Sequence, residues 1–140
     1  MSLYLLDTNT TSDLVHKRSK TLQTRLDSLE AEDSLATSVI SEAEIRFGLA
    51  CKPAAVRLAM GIDLVLSKLT ILPWTSKTAE TYAIFRAENR RLGLTAGNLD
   101  MLIAAQAIAS GSILITADRA FAKLSGGLVV ENWTTDLRPN

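Results

Sequence analysis

Four acidic residues lie at places where an apolar segment begins or ends. Asp7 ends an apolar run near the N-terminus, and Asp118 follows the apolar run 113–116. Glu44 and Asp100 are each expected in the first turn of a largely apolar helix. Carboxylates that share a small volume repel one another, which is costly unless a cation offsets the charge. Mg²⁺ and Mn²⁺ prefer sites made of oxygen ligands, so we expect such an ion if the fold brings the four acids together.

Each acid also has a purely local explanation. Asp7-Thr8-Asn9 can form a turn, since all three side chains hydrogen-bond readily to nearby backbone. Asp118 can belong to an ordinary turn after a strand. Asp100 interacts favourably with the dipole of the helix that it begins, typically by about 0.3–1 kcal/mol. Spatial convergence is what would distinguish a site from these local roles.

Glu44 has a close competitor in Glu42. The segment Ser41-Glu42-Ala43-Glu44 matches a capping box, in which Ser41 caps a helix and Glu44 reaches back to it. The two glutamates are two residues apart on the same helix and therefore point in different directions. We expect one to face the site and the other to face solvent, and helical periodicity does not decide which.

Strand-like and helix-like segments alternate along the chain. Strands separated by helices predict parallel pairing through right-handed crossovers, hence an α/β fold with a central parallel sheet. Sites in such folds form beyond the carboxyl ends of the strands, where Asp7 and Asp118 are expected. Asn98 is the expected cap of the helix that contains Asp100. Strands are predicted at 3–6, 34–38, 70–74, 113–116 and 128–130, and helices at 11–16, 20–30, 41–51, 53–69, 78–92 and 99–110.

Length and composition limit the function classes. The 140 residues, 47% of them hydrophobic, predict a single domain spanning 1–140 with a substantial core. Fifteen basic and fifteen acidic residues cancel, so binding of nucleic acid through bulk charge is not expected. One cysteine, Cys51, and one histidine, His16, make a zinc site or a Cys–His nucleophile improbable. With no leader and no apolar run long enough to cross a bilayer, we expect a cytoplasmic protein.

Several segments in order along nearly the whole chain resemble one family. Together these segments are similar to the PIN-domain family and, within it, to the VapC toxins of bacterial toxin–antitoxin pairs. The implied fold is a three-layer α/β/α sandwich around a parallel sheet. The matching segments are Leu5-Leu6-Asp7-Thr8-Asn9, Ser38 through Gly48, Arg86-Ala87-Glu88, Leu99 through Ala105, Thr116 through Phe121, Gly127-Leu128 and Glu131-Asn132-Trp133.

The resemblance assigns roles to the acids. It selects Glu44, because the family's glutamate stands four residues before the glycine of its helix, here Gly48. Asp7 and Asp100 match two further core acids. Asp118 matches a fourth position, which is Asp or Asn in relatives.

Other residues are implied as neighbours of the site. Thr116 matches a recurrent hydroxyl near the metal, and Thr8, Asn9 and Asn98 are expected as supporting polar groups. An acid that often precedes the phenylalanine of the last loop is replaced here by Ala120.

The activity implied by the resemblance is that of an Mg²⁺- or Mn²⁺-dependent endoribonuclease. We expect a metal-activated water to hydrolyse the phosphodiester bond of RNA, with no nucleophilic side chain. The family further implies a homodimer, or a higher toxin–antitoxin assembly, inhibited by a VapB-like antitoxin. The antitoxin's tail would lie across the acidic cleft and present an arginine to it.

Arginines are the candidate contacts to RNA phosphates. Arg46, Arg86 and Arg119 lie within or beside the matching segments and are the predicted contacts. Arg90 and Arg91 end a helix, where cations interact favourably with the dipole, and a solvated face is the favoured explanation for them.

Two other function classes stay open. A structure-specific DNA nuclease would use the same metal chemistry, although this chain has no insertion long enough for the basic arch or clamp such enzymes carry. A catalytically silent PIN-like module that only binds RNA or protein is the non-enzymatic alternative. The full set of acids argues against this second alternative.

Overall fold

Five parallel strands form one sheet with helices on both faces in the computed structural model, which describes residues 1–134. The strands follow the order β3-β2-β1-β4-β5, so the first strand is central. This architecture confirms the predicted α/β/α sandwich. The strands are β1 (Leu3–Leu6), β2 (Ser34–Ser38), β3 (Thr70–Leu72), β4 (Ile113–Ile115) and β5 (Val130–Glu131), and the helices are α1 (Thr8–His16), α2 (Lys20–Asp27), α3 (Val39–Ala50), α4 (Val56–Ser67), α5 (Ser76–Arg91) and α6 (Asn98–Ser110), with a short 3₁₀ helix at Phe121–Lys123.

The register of the sheet aligns the ends of its three inner strands. Leu6 of β1 pairs with Thr37 of β2 on one side and with Ile115 of β4 on the other. The residues that follow, beginning with Asp7 after β1 and Thr116 after β4, therefore emerge side by side at the carboxyl edge. Topology alone thus brings together residues more than a hundred positions apart.

Neighbouring residues of each inner strand enter separate cores on opposite faces of the sheet. Leu5 packs in one core cluster with Phe85 of α5, whereas Leu6 packs in the other with Leu22 of α2. This alternation follows from the two-residue repeat of a strand. With both faces covered, the neighbouring strands β1 and β4 read as continuous apolar runs, as is typical of parallel sheets.

Several element boundaries differ from the sequence predictions. The helix predicted to begin at Ser41 begins at Val39, and its cap is Ser38, whose hydroxyl accepts a hydrogen bond from the Ile40 amide at 2.9 Å. The predicted cap Asn98 is instead the first residue of α6, and Gly97 holds the cap position.

The start of α4 also differs from the prediction, whereas the end of α6 agrees with it. Pro53 precedes α4, which begins at Val56, rather than lying in its first turn. Gly111 ends α6 as predicted, with a φ of 67° that favours glycine. None of the helices within residues 1–134 is long and apolar enough to cross a membrane.

Candidate functional site: an acidic cleft at the carboxyl edge of the sheet

Asp7 is a buried carboxylate at the end of the central strand. Its side chain is only 4% exposed, and its Oδ1 accepts a hydrogen bond from the Thr10 amide at 2.8 Å, so it caps α1. Its Oδ2 accepts a hydrogen bond from the Thr116 hydroxyl at 2.5 Å. The capping role explains one carboxylate oxygen, and a threonine from a neighbouring strand fixes the other. The local turn explanation is therefore correct but incomplete.

Buried hydroxyl groups hold the strand ends in place around Asp7. Thr11 donates to the Asp7 carbonyl at 2.8 Å, and its Oγ1 lies 3.0 Å from the Thr37 hydroxyl. Thr37 in turn donates to the Leu6 carbonyl at 3.1 Å, and Thr10 donates to the Ile115 carbonyl at 3.2 Å. These threonines position the site without facing it. No local pattern predicts this role for the threonines; the available signal was their place at the end of a buried strand or in the helix that follows one.

Glu44 faces the cleft through a contact between two helices. The Thr8 hydroxyl at the start of α1 lies 2.7 Å from Glu44 Oε1 and 2.9 Å from Ser41 Oγ. A carboxylate can only accept, so the Thr8 proton goes to Glu44, and Thr8 Oγ1 is left as an acceptor. Ser41, expected as the helix cap, is instead a buried residue within α3 that supports this contact.

Glu42 points away from the cleft. Its Oε2 accepts a hydrogen bond from Arg46 Nε at 2.9 Å, one turn along the exposed side of α3. Arg46 Nη1 also lies 3.8 Å from Asp63 Oδ1 of α4. Glu44 is therefore the glutamate beside Thr8 and Asp100, whereas Glu42 is partly buried and paired with Arg46 rather than open to solvent.

Asp100 enters the cleft from the first turn of α6. Because α6 runs back to the start of β4, its N-terminus lies at the carboxyl edge of the sheet. Asp100 is half-buried, and burial raises its pKa first of all. The negative charges of Asp118, Asp7 and Glu44 raise the pKa of Asp100 further, in that order. Acids from three other stretches of chain therefore lie close enough to Asp100 to act on it electrostatically.

Asp118 lies at the rim of the cleft. Its Oδ1 accepts a hydrogen bond from the Ala120 amide at 2.9 Å, and its own amide donates to Thr116 Oγ1 at 3.0 Å. The turn expected from the sequence is thus present, while the charge of Asp118 still raises the pKa of Asp7 and of Asp100. For Asp7 this effect is small beside burial, which raises its pKa most and is opposed by the hydrogen bonds from Thr10 and Thr116.

The four carboxylates lie along the open carboxyl edge of the sheet and do not form a closed cage. Within residues 1–134, no three His, Cys, Asp or Glu side chains are grouped as a ready-made metal site. The donors are nonetheless the hard oxygen ligands that Mg²⁺ and Mn²⁺ accept, and His16 and Cys51 are both exposed at helix ends. Mg²⁺ usually keeps several waters and takes one or two carboxylates together with substrate phosphates, so an open acidic cleft fits it better than a cage would.

The predicted supporting residues and arginines differ in their surroundings. Asn9 is exposed beside the cleft, and Asn98 accepts a hydrogen bond from Arg86 Nη2 at 3.3 Å. Arg46 is engaged by two carboxylates on the far side of α3, which weakens its case as a contact to phosphate. Arg119 is exposed next to Asp118 and forms no ion pair with the described residues.

A groove leads from the cleft between α1, α3 and α4. It has a volume of about 350 Å³ and begins at Thr8 and Glu44. Its walls include the apolar side chains of Ile45, Leu49 and Ile62. Beyond the groove, helices α3 and α4 expose further large apolar side chains, namely Phe47, Val56, Met60 and Leu64.

Comparisons with known proteins identify one family over nearly the whole chain. A family model described as the PIN domain matches residues 4–127. The chain is 31% identical to a protein named Ribonuclease VapC2 from Rickettsia felis over 131 residues, covering 94% of this chain and 98% of the relative.

Two solved structures have the same fold. One is VapBC2 from Rickettsia felis bound to a DNA fragment from its promoter, with 30% identity, a TM-score of 0.86, and coverage of 94% of this chain and 98% of that one. The other is VapBC-1 from nontypeable Haemophilus influenzae, with 26% identity, a TM-score of 0.85, and coverage of 95% and 99%. With the family model and these relatives spanning nearly the whole sequence, the chain belongs to the PIN-domain family, among its VapC members.

Proposed function

We propose that this protein is a metal-dependent endoribonuclease that acts as the toxin of a VapBC-type toxin–antitoxin pair. The observation that carries the proposal is the gathering of four acids from separate segments at one edge of the sheet. Thr116 and Thr8 hold Asp7 and Glu44 there by hydrogen bonds. Asp7, Glu44 and Asp118 all lie near enough to Asp100 to raise its pKa. Repulsion between these carboxylates is offset if a divalent cation binds among them together with a substrate phosphate. The names of the relatives, which include ribonucleases and toxin–antitoxin complexes, support the same activity.

The acids of the cleft would bind the metal ion, and two threonines would orient them. Asp7 and Asp100 would hold Mg²⁺ or Mn²⁺, with Glu44 and Asp118 completing the acidic surround. When bound, the ion lowers the pKa of a coordinated water and offsets charge on the attacked phosphate. Thr116 keeps one Asp7 oxygen in a fixed direction, and Thr8 does the same for Glu44.

The leading test is substitution of Asp7→Asn in the full-length protein. We expect loss of RNA cleavage and of Mn²⁺ binding, measured by calorimetry, while circular dichroism shows a retained fold. Cleavage that continues in excess chelator would refute the metal mechanism. Matched RNA and DNA substrates assayed side by side separate the ribonuclease from a DNA nuclease, and absence of any cleavage would favour the catalytically silent module.

The two glutamates provide an internal control. Glu44→Gln should abolish cleavage, because Glu44 contacts Thr8 at the cleft, whereas Glu42→Gln should leave cleavage unchanged, because Glu42 pairs with Arg46 outside it. Both variants remove one negative charge from the same helix. Equal loss of activity in the two variants would contradict the assignment of Glu44.

A VapB-like antitoxin is the proposed partner. The relatives from Rickettsia felis and Haemophilus influenzae were solved as VapBC complexes, and the apolar groove that begins at Glu44 suits an apolar peptide segment ending in a cation. Growth arrest on expression, relieved by co-expression of the neighbouring antitoxin gene, tests the pairing. The homodimer implied by the family stays a prediction.

A further inference from the structure

Two arginines on α5 have no acidic partner among the described residues. Arg86 and Arg90 form no ion pair within residues 1–134, although both are exposed. Their neighbour Arg91 behaves differently, since its guanidinium is paired with Glu88 at 2.6 Å. Arg86 and Arg90 are four residues apart, so the two unpaired charges lie on one face of the helix.

Arg86 is held in a defined position rather than extended freely into solvent. Its guanidinium lies 5.8 Å from the centre of the Tyr82 ring and donates a hydrogen bond to the Tyr82 hydroxyl. Tyr82 is itself fixed by an edge-on contact with Trp74, with ring centres 6.0 Å apart. All these partners are neutral, so the positive charge of Arg86 remains available. Pre-positioning lowers the entropy lost when a ligand binds.

The position of Arg86 connects α5 to the acidic cleft. Its Nη2 reaches Asn98 Oδ1 at 3.3 Å, and Asn98 stands two residues before Asp100 in the first turn of α6. Arg90 is one turn later on α5, at about 6 Å along the helix axis. The two charges therefore follow one another along the helix at a spacing comparable to that of neighbouring phosphates in an extended strand.

Two open grooves flank this line, and both arginines border each of them. One groove, of about 560 Å³, lies against Tyr82 and Ala87 on α5. The other, of about 380 Å³, lies against Leu94 and Met101. Both volumes fall in the range of small-ligand sites, and the first places the aromatic ring of Tyr82 beside the two arginines, where a base could stack.

We propose that Arg86 and Arg90 form a phosphate-binding track that guides the backbone of single-stranded RNA into the acidic cleft. The inference rests on the proposed ribonuclease function and adds the path of the substrate to it. Cations at this place would offset the repulsion between the four carboxylates and the RNA on its approach. Arg91 also borders the first groove, but its guanidinium is paired with Glu88, so we expect it to add little to the track.

The test measures RNA binding separately from cleavage. In an Asp7→Asn background, a fluorescein-labelled single-stranded RNA of mixed sequence is titrated by anisotropy over a range of NaCl concentrations. Arg86→Gln and Arg90→Gln together should weaken binding and reduce the slope of log K against log [salt] by about 1.4, since each contact to a single-stranded phosphate contributes about 0.7. Arg91→Gln, one residue away on the same helix, should leave the slope unchanged.

Two outcomes would overturn the proposed track. An unchanged slope in the double variant, or failure of the parent to bind the RNA, overturns the track. A double variant that changes the oligomeric state in light scattering but not the slope also overturns it and assigns this face to a contact between protein copies. The ribonuclease function is judged independently, by cleavage of RNA by the wild-type protein in Mg²⁺, so the two proposals fail separately.

Discussion

Replacement of Thr116 by valine tests whether its hydrogen bond stabilises the buried charge of Asp7. Thr116 is 2% exposed and donates to Asp7 Oδ2, so valine removes a charge-assisted hydrogen bond while keeping the shape of the side chain. Bonds to charged groups contribute about 1.5–3 kcal/mol. The Asp118 amide also loses its acceptor, but this amide is only partly buried and water can replace the hydroxyl. We therefore expect a loss of about 2 kcal/mol at neutral pH, roughly 5–10 °C in Tm.

The pH dependence of this loss separates it from a packing defect. Burial raises the pKa of Asp7 above its ordinary value of 3.8, so the folded protein retains this proton to a higher pH than the unfolded chain does. Wild-type stability therefore decreases as pH rises from about 3.8 through the folded-state pKa. The Thr116 hydrogen bond lowers the pKa of Asp7 and limits that decrease. Without the bond the decrease is larger, so the effect of Thr116→Val should grow with pH.

Urea unfolding of the metal-free protein, from mildly acidic to neutral pH, measures this effect. Thr116→Ser is the matched control, because serine keeps the hydroxyl and loses only a buried methyl group, at about 0.8 kcal/mol independent of pH. A Thr116→Val effect that is constant across the pH range would refute the reasoning. So would a valine variant as stable as the serine variant at neutral pH.

Two further predictions concern Asp100. Asp100→Asn should raise the stability of the metal-free protein at neutral pH, because it removes one of the mutually repelling charges. It should also abolish the stabilisation by Mg²⁺, about 2.7 kcal/mol in the wild type at a hundred times Kd; an unchanged Mg²⁺-induced shift in Tm would exclude Asp100 as a ligand. Gly97→Ala should weaken Mn²⁺ binding several-fold without unfolding α6, because a Cβ there would come within 3.1 Å of Asp100 Oδ2. Gly48→Ala, where a Cβ meets nothing within 4 Å, is the calorimetric control, and equal affinities in the two variants would contradict the steric argument.

Residue pattern was enough to predict the parts of the fold that depend on local signals. The apolar runs of β1 and β4, and the glycine after α6, define these elements because strand burial and the left-handed cap act on neighbouring residues. Alternation of strands and helices then predicts parallel pairing, and parallel pairing places Asp7 and Thr116 at one edge. This chain of inference needs no side-chain geometry.

The start of α3 shows where local signals fail. Ser38 and Ser41 both suit a helix cap, and the sequence favoured Ser41 because a glutamate follows it at capping-box spacing. In the fold, Ser38 caps the helix at the end of β2, and the Ser41–Glu44 turn contacts Thr8 of α1. That contact spans 36 positions in the chain, so no local pattern contains it. The same limitation left the choice between Glu42 and Glu44 to the family resemblance.

The buried acids connect the stability of the protein to whatever enters its cleft. Burial and repulsion raise the pKa of Asp7 and of Asp100, so ionising these groups at neutral pH destabilises the folded state. Any cation that binds only the folded protein recovers that free energy. On the proposed function, a divalent ion and an arginine from the antitoxin would both meet this need and would compete for the same carboxylates. Binding of the antitoxin's tail would then displace the metal ion. We therefore expect Mg²⁺ to lower the affinity of the antitoxin's tail for the cleft.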